Sequence, residues 1–171
     1  MVRLFDIQDG VVIPTEHCYT LATLRSIMNM HPDDYLAVYQ YLFYMTCPDP
    51  GLNPFFDVPK DDKEELILRE IGAEFSTDDF EIKEALTFCE TLYSTPSLRA
   101  YNGIKSMLDR LADYMTTTTI THGRDGNITA LVNAAAKFEQ IRMSYKGAYR
   151  DLQEELKGSV RGGERLAYDQ M

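Results

Sequence analysis

The sequence is poor in the residues that staple, ligate or anchor a protein. Cysteine occurs three times, at Cys18, Cys47 and Cys89. An odd number at wide spacing makes neither a disulfide framework nor a zinc-ligand pattern, and it suits a reducing cytosol. Histidine also occurs three times, at His17, His31 and His122, with no spacing that asks for a metal. Basic charge is short: 17 Lys and Arg stand against 27 Asp and Glu, a net charge of -10. That balance argues against a nucleic-acid coat and against binding to an anionic membrane. The longest near-apolar run, Leu36 to Cys47, is broken by Gln40 and is too short to span a bilayer. The first residues carry Arg3, Asp6 and Asp9, which is not how a signal peptide opens. There is no phosphate loop, dinucleotide fingerprint, nucleophile elbow or paired-histidine zinc motif. The expectation is a protein with no catalytic, cofactor or metal site.

What is present is helical. With 171 residues, 44% of them apolar, the chain is long enough for one domain with its own core, or one domain with arms. Residues 1–14 read as an N-terminal β arm: Leu4, Phe5 and Ile7, then Asp9-Gly10, then Val11, Val12 and Ile13, a hairpin signal. Two strands alone are marginal in water. The arm must therefore lie on the helices or join a sheet from another chain. Residues 15–157 read as a helical domain. Thr15 begins a helix to about Asn29. His31-Pro32 breaks it, and Pro32 opens a second helix to about Thr46. That second helix is apolar all round, so it is central to the core or shared between chains. Four tyrosines within residues 35–44 favour sharing, since each hydroxyl wants a partner.

Four prolines in residues 47–60 exclude helix there and leave Phe55 and Phe56 to pin a loop. A helix from Asp61 or Asp62 to Glu74 follows. Another starts at Ser76, where Ser76-x-x-Asp79 resembles a capping box, with Phe80, Ile82, Leu86, Phe88, Cys89 and Leu92 as its apolar positions. Thr95-Pro96 is a cap and first-turn proline for a helix to about Met115. Thr116 to Thr119 suit an extended segment, and Asn127 is placed to cap the last helix. That helix, Ile128 to Lys157, is about 45 Å long. It repeats Leu131, Phe138, Tyr145 and Leu152 every seven residues, with Ala134, Ile141 and Ala148 between. This is a packing seam, and Gly147 marks a possible bend in it. Gly158 ends the helix, leaving residues 158–171 as an extended C-terminal tail. The fold class expected is therefore mainly α: a bundle of about five to six helices with a β-hairpin arm and a tail.

Charge is sided. Residues 1–48 have net charge -3, residues 49–90 have -9, and residues 91–171 have +2. An acidic middle and a mildly basic C-terminal half suit head-to-tail contact between copies. The candidate interface residues are Arg161, Arg165, Leu166, Tyr168 and Met171 in the tail, and Leu4, Phe5, Val11 and Val12 in the arm. Apolar residues in a tail too short to fold alone fit a segment that orders on a partner. The acid pairs Asp61-Asp62, Glu64-Glu65 and Asp78-Asp79 all fall at helix starts, where the helix dipole accounts for them. His122-Gly123-Arg124-Asp125-Gly126-Asn127 is the most site-like stretch, and a turn feeding an N-cap explains most of it. Asn53-Pro54-Phe55 matches a short endocytic ligand motif, and Asn127-Ile128-Thr129 a glycosylation acceptor. Both patterns are too short to count by themselves.

Three stretches carry a resemblance: Asn53-Pro54-Phe55-Phe56-Asp57-Val58-Pro59, Glu90-Thr91-Leu92-Tyr93-Ser94-Thr95-Pro96, and Ile120-Thr121-His122-Gly123-Arg124-Asp125-Gly126-Asn127. Over residues 50–130 the chain resembles virion proteins of tailed bacteriophages, in particular the crAss-like phages of gut bacteria. The whole-chain plan resembles the head–tail adaptors of short-tailed phages, small helical proteins whose C-terminal extension reaches into the portal from a twelve-fold ring. The resemblance implies a non-catalytic ring component of the neck or tail, found in the virion and, during assembly, in the host cytoplasm. Its implied partners are other copies of itself, the portal and neighbouring tail proteins. No sequence-specific nucleic acid and no membrane is implied. The docking arm would be Arg161 to Met171, and residues 1–14 would clasp a neighbour. The N-terminal hairpin is not part of the plain adaptor bundle. The competing expectation is an assembly chaperone or adaptor acting as a monomer or dimer.

Overall fold

A computed structural model describes residues 4–8, 10–123 and 126–168, with side chains described as far as Lys157. The fold is mainly α, with one two-stranded antiparallel hairpin. Strands β1 (Phe5–Gln8) and β2 (Val11–Pro14) pair Phe5 with Pro14 and Gln8 with Val11. Gly10 turns the chain at φ 81, where a side chain would be strained. Then follow α1 (Glu16–Thr20), α2 (Ala22–Met30), α3 (Tyr35–Thr46), α4 (Lys60–Ile71), α5 (Phe80–Tyr93), α6 (Pro96–Thr117) and α7 (Ile128–Tyr168).

The chain divides into two compact units, Met1–Ser94 and Thr95–Met171, with the boundary inside the helical stretch 15–157. The join is where the sequence forbids helix: Thr95 is extended, and Pro96 occupies the first turn of α6. Thr95 Oγ1 accepts from the Leu98 N–H at 3.2 Å, the expected cap.

The first unit has a single core, and α3 runs through it. Val38, Tyr39, Tyr41, Leu42 and Phe43 are all buried, each side chain contributing about 1.5–3 kcal/mol from burial. The tyrosine-rich helix is thus central to its own chain. Two of its four tyrosine hydroxyls find partners without a second copy: Tyr39 donates to the Leu24 carbonyl at 3.0 Å, and Tyr41 bonds Glu64. The hairpin lies on this core. The Leu4 carbonyl accepts from the Thr15 N–H, the Thr15 hydroxyl and the Cys18 thiol, each at 2.9 Å. Thr15 therefore spends its side chain on the arm instead of capping α1.

Several boundaries differ from expectation, for local reasons. The helix expected from Thr15 to Asn29 breaks at Leu21, which is extended. The Thr20 hydroxyl and the Leu21 N–H both take the His17 carbonyl, closing α1 after little more than one turn. The expected capping box at Ser76 is a turn, with the Asp79 N–H on the Ser76 carbonyl, and α5 starts at Phe80. α4 stops at Gly72, which takes the left-handed conformation at φ 64. Thr116 and Thr117 are helical, their hydroxyls bonded back to the Ala112 and Asp113 carbonyls. α7 continues to Tyr168, past the expected end at Lys157.

The proline-rich loop is an organised cap for α3. Asn53 is 1% exposed. Its Nδ2 donates to the Tyr44 and Cys47 carbonyls at 2.9 Å each, and its Oδ1 accepts from the Phe55 N–H at 3.0 Å. The buried Lys63 ammonium reaches the Met45 carbonyl at 3.0 Å. Carbonyls left over at the end of α3 are thereby satisfied, with positive charge at the negative pole of the helix. Asn53 is the inner pin of this loop and is not on offer as part of a surface Asn-Pro-Phe ligand. Replacing it with Ala leaves three backbone groups unpaired, at about 1–3 kcal/mol for each one that water cannot reach. Asn53→Ala is expected to lower the urea midpoint clearly, whereas Asn127→Ala, at an exposed turn, is expected to lower it little.

Burial also raises the acids of this core. The Cys18 and Cys89 thiols are pushed up to about 12, and Cys47 to about 11. Burial likewise raises the phenols of Tyr39, Tyr41 and Tyr93. In the unfolded chain a thiol ionises near about 8.5. The neutral forms thus stabilise the fold fully below that pH, and the contribution is lost as pH rises toward the folded values. The thermal midpoint is expected to be flat through neutral pH and to fall steadily from about pH 9. A midpoint unchanged at pH 11 would contradict this burial.

Candidate assembly interface

Helices α6 and α7 form the second unit by packing antiparallel. Tyr101 faces Tyr145 and Tyr149, with ring centroids 5.2 and 5.9 Å apart, and the Tyr101 and Tyr145 hydroxyls share a hydrogen bond of 2.8 Å. The heptad positions named from the sequence do face α6. However, two helices give each other only one stripe of contact. Among the described side chains of this unit, only Tyr101 and Leu152 are fully buried. Both lie toward the end where α6 begins. Farther out, Leu108, Leu111 and Met115 on α6 and Leu131, Phe138 and Ile141 on α7 are only half-buried. Met107, Tyr114, Ile120, Ile128, Val132 and Met143 are exposed outright, Val132 at 62%. Met107 and Tyr114 stand outside the one seam that the two helices share.

One wall of the hairpin is concave. Pro96, Ser97, Ala100 and Ile104 from α6 and Ser144, Gly147, Ala148 and Asp151 from α7 line an open groove of about 420 Å³. A Cβ added at Gly147 would meet nothing within 4 Å. α7 passes through Gly147 without interruption, so the glycine opens space and does not end the helix. Small residues at three- and four-residue spacing on both helices were the signal for this groove, and the sequence reading missed it.

The residues named beforehand as interface candidates fall in different places. Leu4, Phe5 and Val12 are buried in the core of their own unit. Their role is therefore internal, because a side chain packed on α3 and α1 has no surface left for a neighbour. Val11 is 50% exposed and remains available. The side chains of Arg161, Arg165, Leu166 and Tyr168, and all of Met171, lie outside the described residues. So do Arg124 and Asp125 of the site-like turn. In the described part of that turn His122 is exposed. Asn127 folds back there, with its Oδ1 accepting from the Thr121 N–H at 2.9 Å and its Nδ2 donating to the Thr119 carbonyl at 2.8 Å. Asn127 thus closes the turn that leads into α7, and its carbonyl accepts from the Leu131 N–H at 3.0 Å. Among the described residues no group of three or more His, Cys, Asp or Glu is placed to hold a metal ion, and no helix is long and apolar enough to cross a membrane.

Phe80 is the other feature that the sequence hid. Expected inward on α5, it is 74% exposed, more than any other large apolar side chain among those described. Because α5 starts at Phe80 instead of Ser76, the residue stands on its first turn, ahead of the face that buries Ile82, Ala85 and Cys89.

The half-open seam predicts uneven protection. Amide hydrogen exchange in α6 and α7 of the isolated chain is expected to be slowest around Tyr101 and Leu152 and to quicken toward Met115 and Leu131. Uniform protection along both helices would mean that the outer part of the hairpin is already covered. The chain matches no protein-family model, no curated protein and no solved structure.

Proposed function

We propose that this chain is a non-catalytic assembly protein, an oligomeric ring component at the portal, neck or tail of a bacteriophage particle. The observation that carries the reading is the α6–α7 hairpin, whose seam stays half-exposed and whose outer length offers Met107, Tyr114, Val132 and Met143 to solvent. A side chain that loses water on association contributes about 25 cal/mol per Å² of apolar surface, and a hairpin with one seam has such surface to spare.

Charge supports contact between unlike faces. Residues 1–94 hold 6 basic and 18 acidic side chains, net -12, while residues 95–171 hold 11 basic and 9 acidic, net +2. Ring closure requires heterologous interfaces, in which one face of a subunit meets a different face of the next. The likeness of residues 50–130 to phage virion proteins supplies the setting, and the C-terminal segment is the part assigned to the portal.

The purified chain is expected to form multimers alone or on addition of the portal, read by light scattering. Deleting Ser159 to Met171 is expected to abolish incorporation into particles. A chain that stays monomeric in both conditions, or a truncated chain that still enters particles, overturns the reading. Retained binding of the truncated chain to a cytosolic client would favour an assembly chaperone instead.

A further inference from the structure

Two features remain that neither core explains. One is Phe80, an aromatic ring left in water at the start of α5. The other is the groove on α6 and α7, kept open by Ala100, Gly147 and Ala148. A glycine inside a helix is unfavourable relative to alanine, and here no atom of the chain occupies the space it leaves. Exposed aromatics and well-shaped pockets pair at interfaces, where a few anchors carry most of the binding.

Their surroundings have opposite charge. Phe80 is flanked by Asp78, Asp79, Glu81 and Glu84, with Lys83 the one base among them, for a net charge of -3. Lys83 is engaged by Asp78 at 2.7 Å and Asp79 lies 3.9 Å from the His31 imidazole, which leaves Glu81 and Glu84 unanswered by either base. Next in sequence to the lining residues Gly147 and Asp151 stand Lys146 and Arg150. Asp151 lies within its lining, and Arg150 stands 4.0 Å from it. Lys146, Arg150 and Asp151 together carry net charge +1. Like would repel like if two grooves, or two Phe80 faces, met each other. Opposite charges set the register when one meets the other.

We propose that Phe80 of one copy seats in the α6–α7 groove of a second copy, against Ala100, Ile104, Gly147 and Ala148, so that copies join head to tail. A groove of about 420 Å³ has room for the ring. The carboxylates around Phe80 then lie over Lys146 and Arg150. Each copy keeps one knob and one groove free after pairing, so association continues until the rotation closes it. This inference rests on the assembly reading above and names the surface through which it operates.

The test uses two substitutions that block opposite halves of the contact. Phe80→Ala removes the knob and keeps the groove. Gly147→Met fills the groove and keeps the knob, and it replaces a mid-helix glycine with a better helix former. Its thermal midpoint is therefore expected not to fall, which separates lost assembly from lost folding. Sedimentation of the full-length chain over a concentration series is expected to show wild type growing past the dimer. Each variant alone is expected to associate at least about tenfold more weakly, the loss of one anchor. An equal mixture of the two variants is expected to give two-copy complexes and nothing larger, because only one good contact per pair remains. If wild type assembles and both variants assemble equally well, the knob-and-groove contact is overturned while the assembly reading stands. Failure of the mixture to pair also overturns it. A wild-type chain that stays monomeric at every concentration overturns the contact, and assembly on the portal then decides the wider reading.

Discussion

Two packed helices can hide one stripe of each other and no more. That limit governs the second unit. Its seam is well formed, with leucine, phenylalanine, isoleucine and tyrosine at regular spacing, yet only Tyr101 and Leu152 leave solvent entirely among its described side chains. A third or fourth helix would complete the enclosure, as in a bundle. Nothing within α6 and α7 supplies it among the described side chains, so part of the unit's apolar surface stays exposed.

The first unit obeys the opposite logic. Its central helix buries Val38, Tyr39, Tyr41, Leu42 and Phe43, and polar groups at its end are satisfied by Asn53 and Lys63. It is closed to partners through its core but carries a large acidic surplus on its surface. One unit is therefore finished inside and charged outside, and the other is unfinished inside and mildly basic. In the proposed assembly, association between copies would draw on both: burial would supply energy, and charge would select which face meets which.

Much of the helical plan was legible because its signals are local. Asp9-Gly10, Thr95-Pro96, the prolines of residues 47–60 and the seven-residue repeat of α7 each act over a few residues, and the corresponding elements are present. Where the reading failed, the decisive interactions were between segments distant in sequence. The tyrosines of α3 suggested a shared helix because sequence cannot show that Tyr39 finds Leu24, or Tyr41 finds Glu64. Leu4, Phe5 and Val12 read as a sticky arm because alternation shows that a strand has an apolar face without showing what covers it. Phe80 went the other way. A shift of four residues in the start of α5 turned an expected core position into the most exposed large apolar side chain described. The groove escaped notice because its signal is an absence of bulk, on two helices more than forty residues apart in sequence.

The three thiols have a practical corollary. Cys18, Cys47 and Cys89 are free but buried in the first unit, with their protons held tightly. A maleimide reacts with an accessible thiolate, and the native protein presents none. A single cysteine introduced on the outside, at Val132 or Val11 for example, would be the sole handle for a dye or spin label. The wild-type background would need no prior cysteine removal, and distances between copies would become directly measurable in solution.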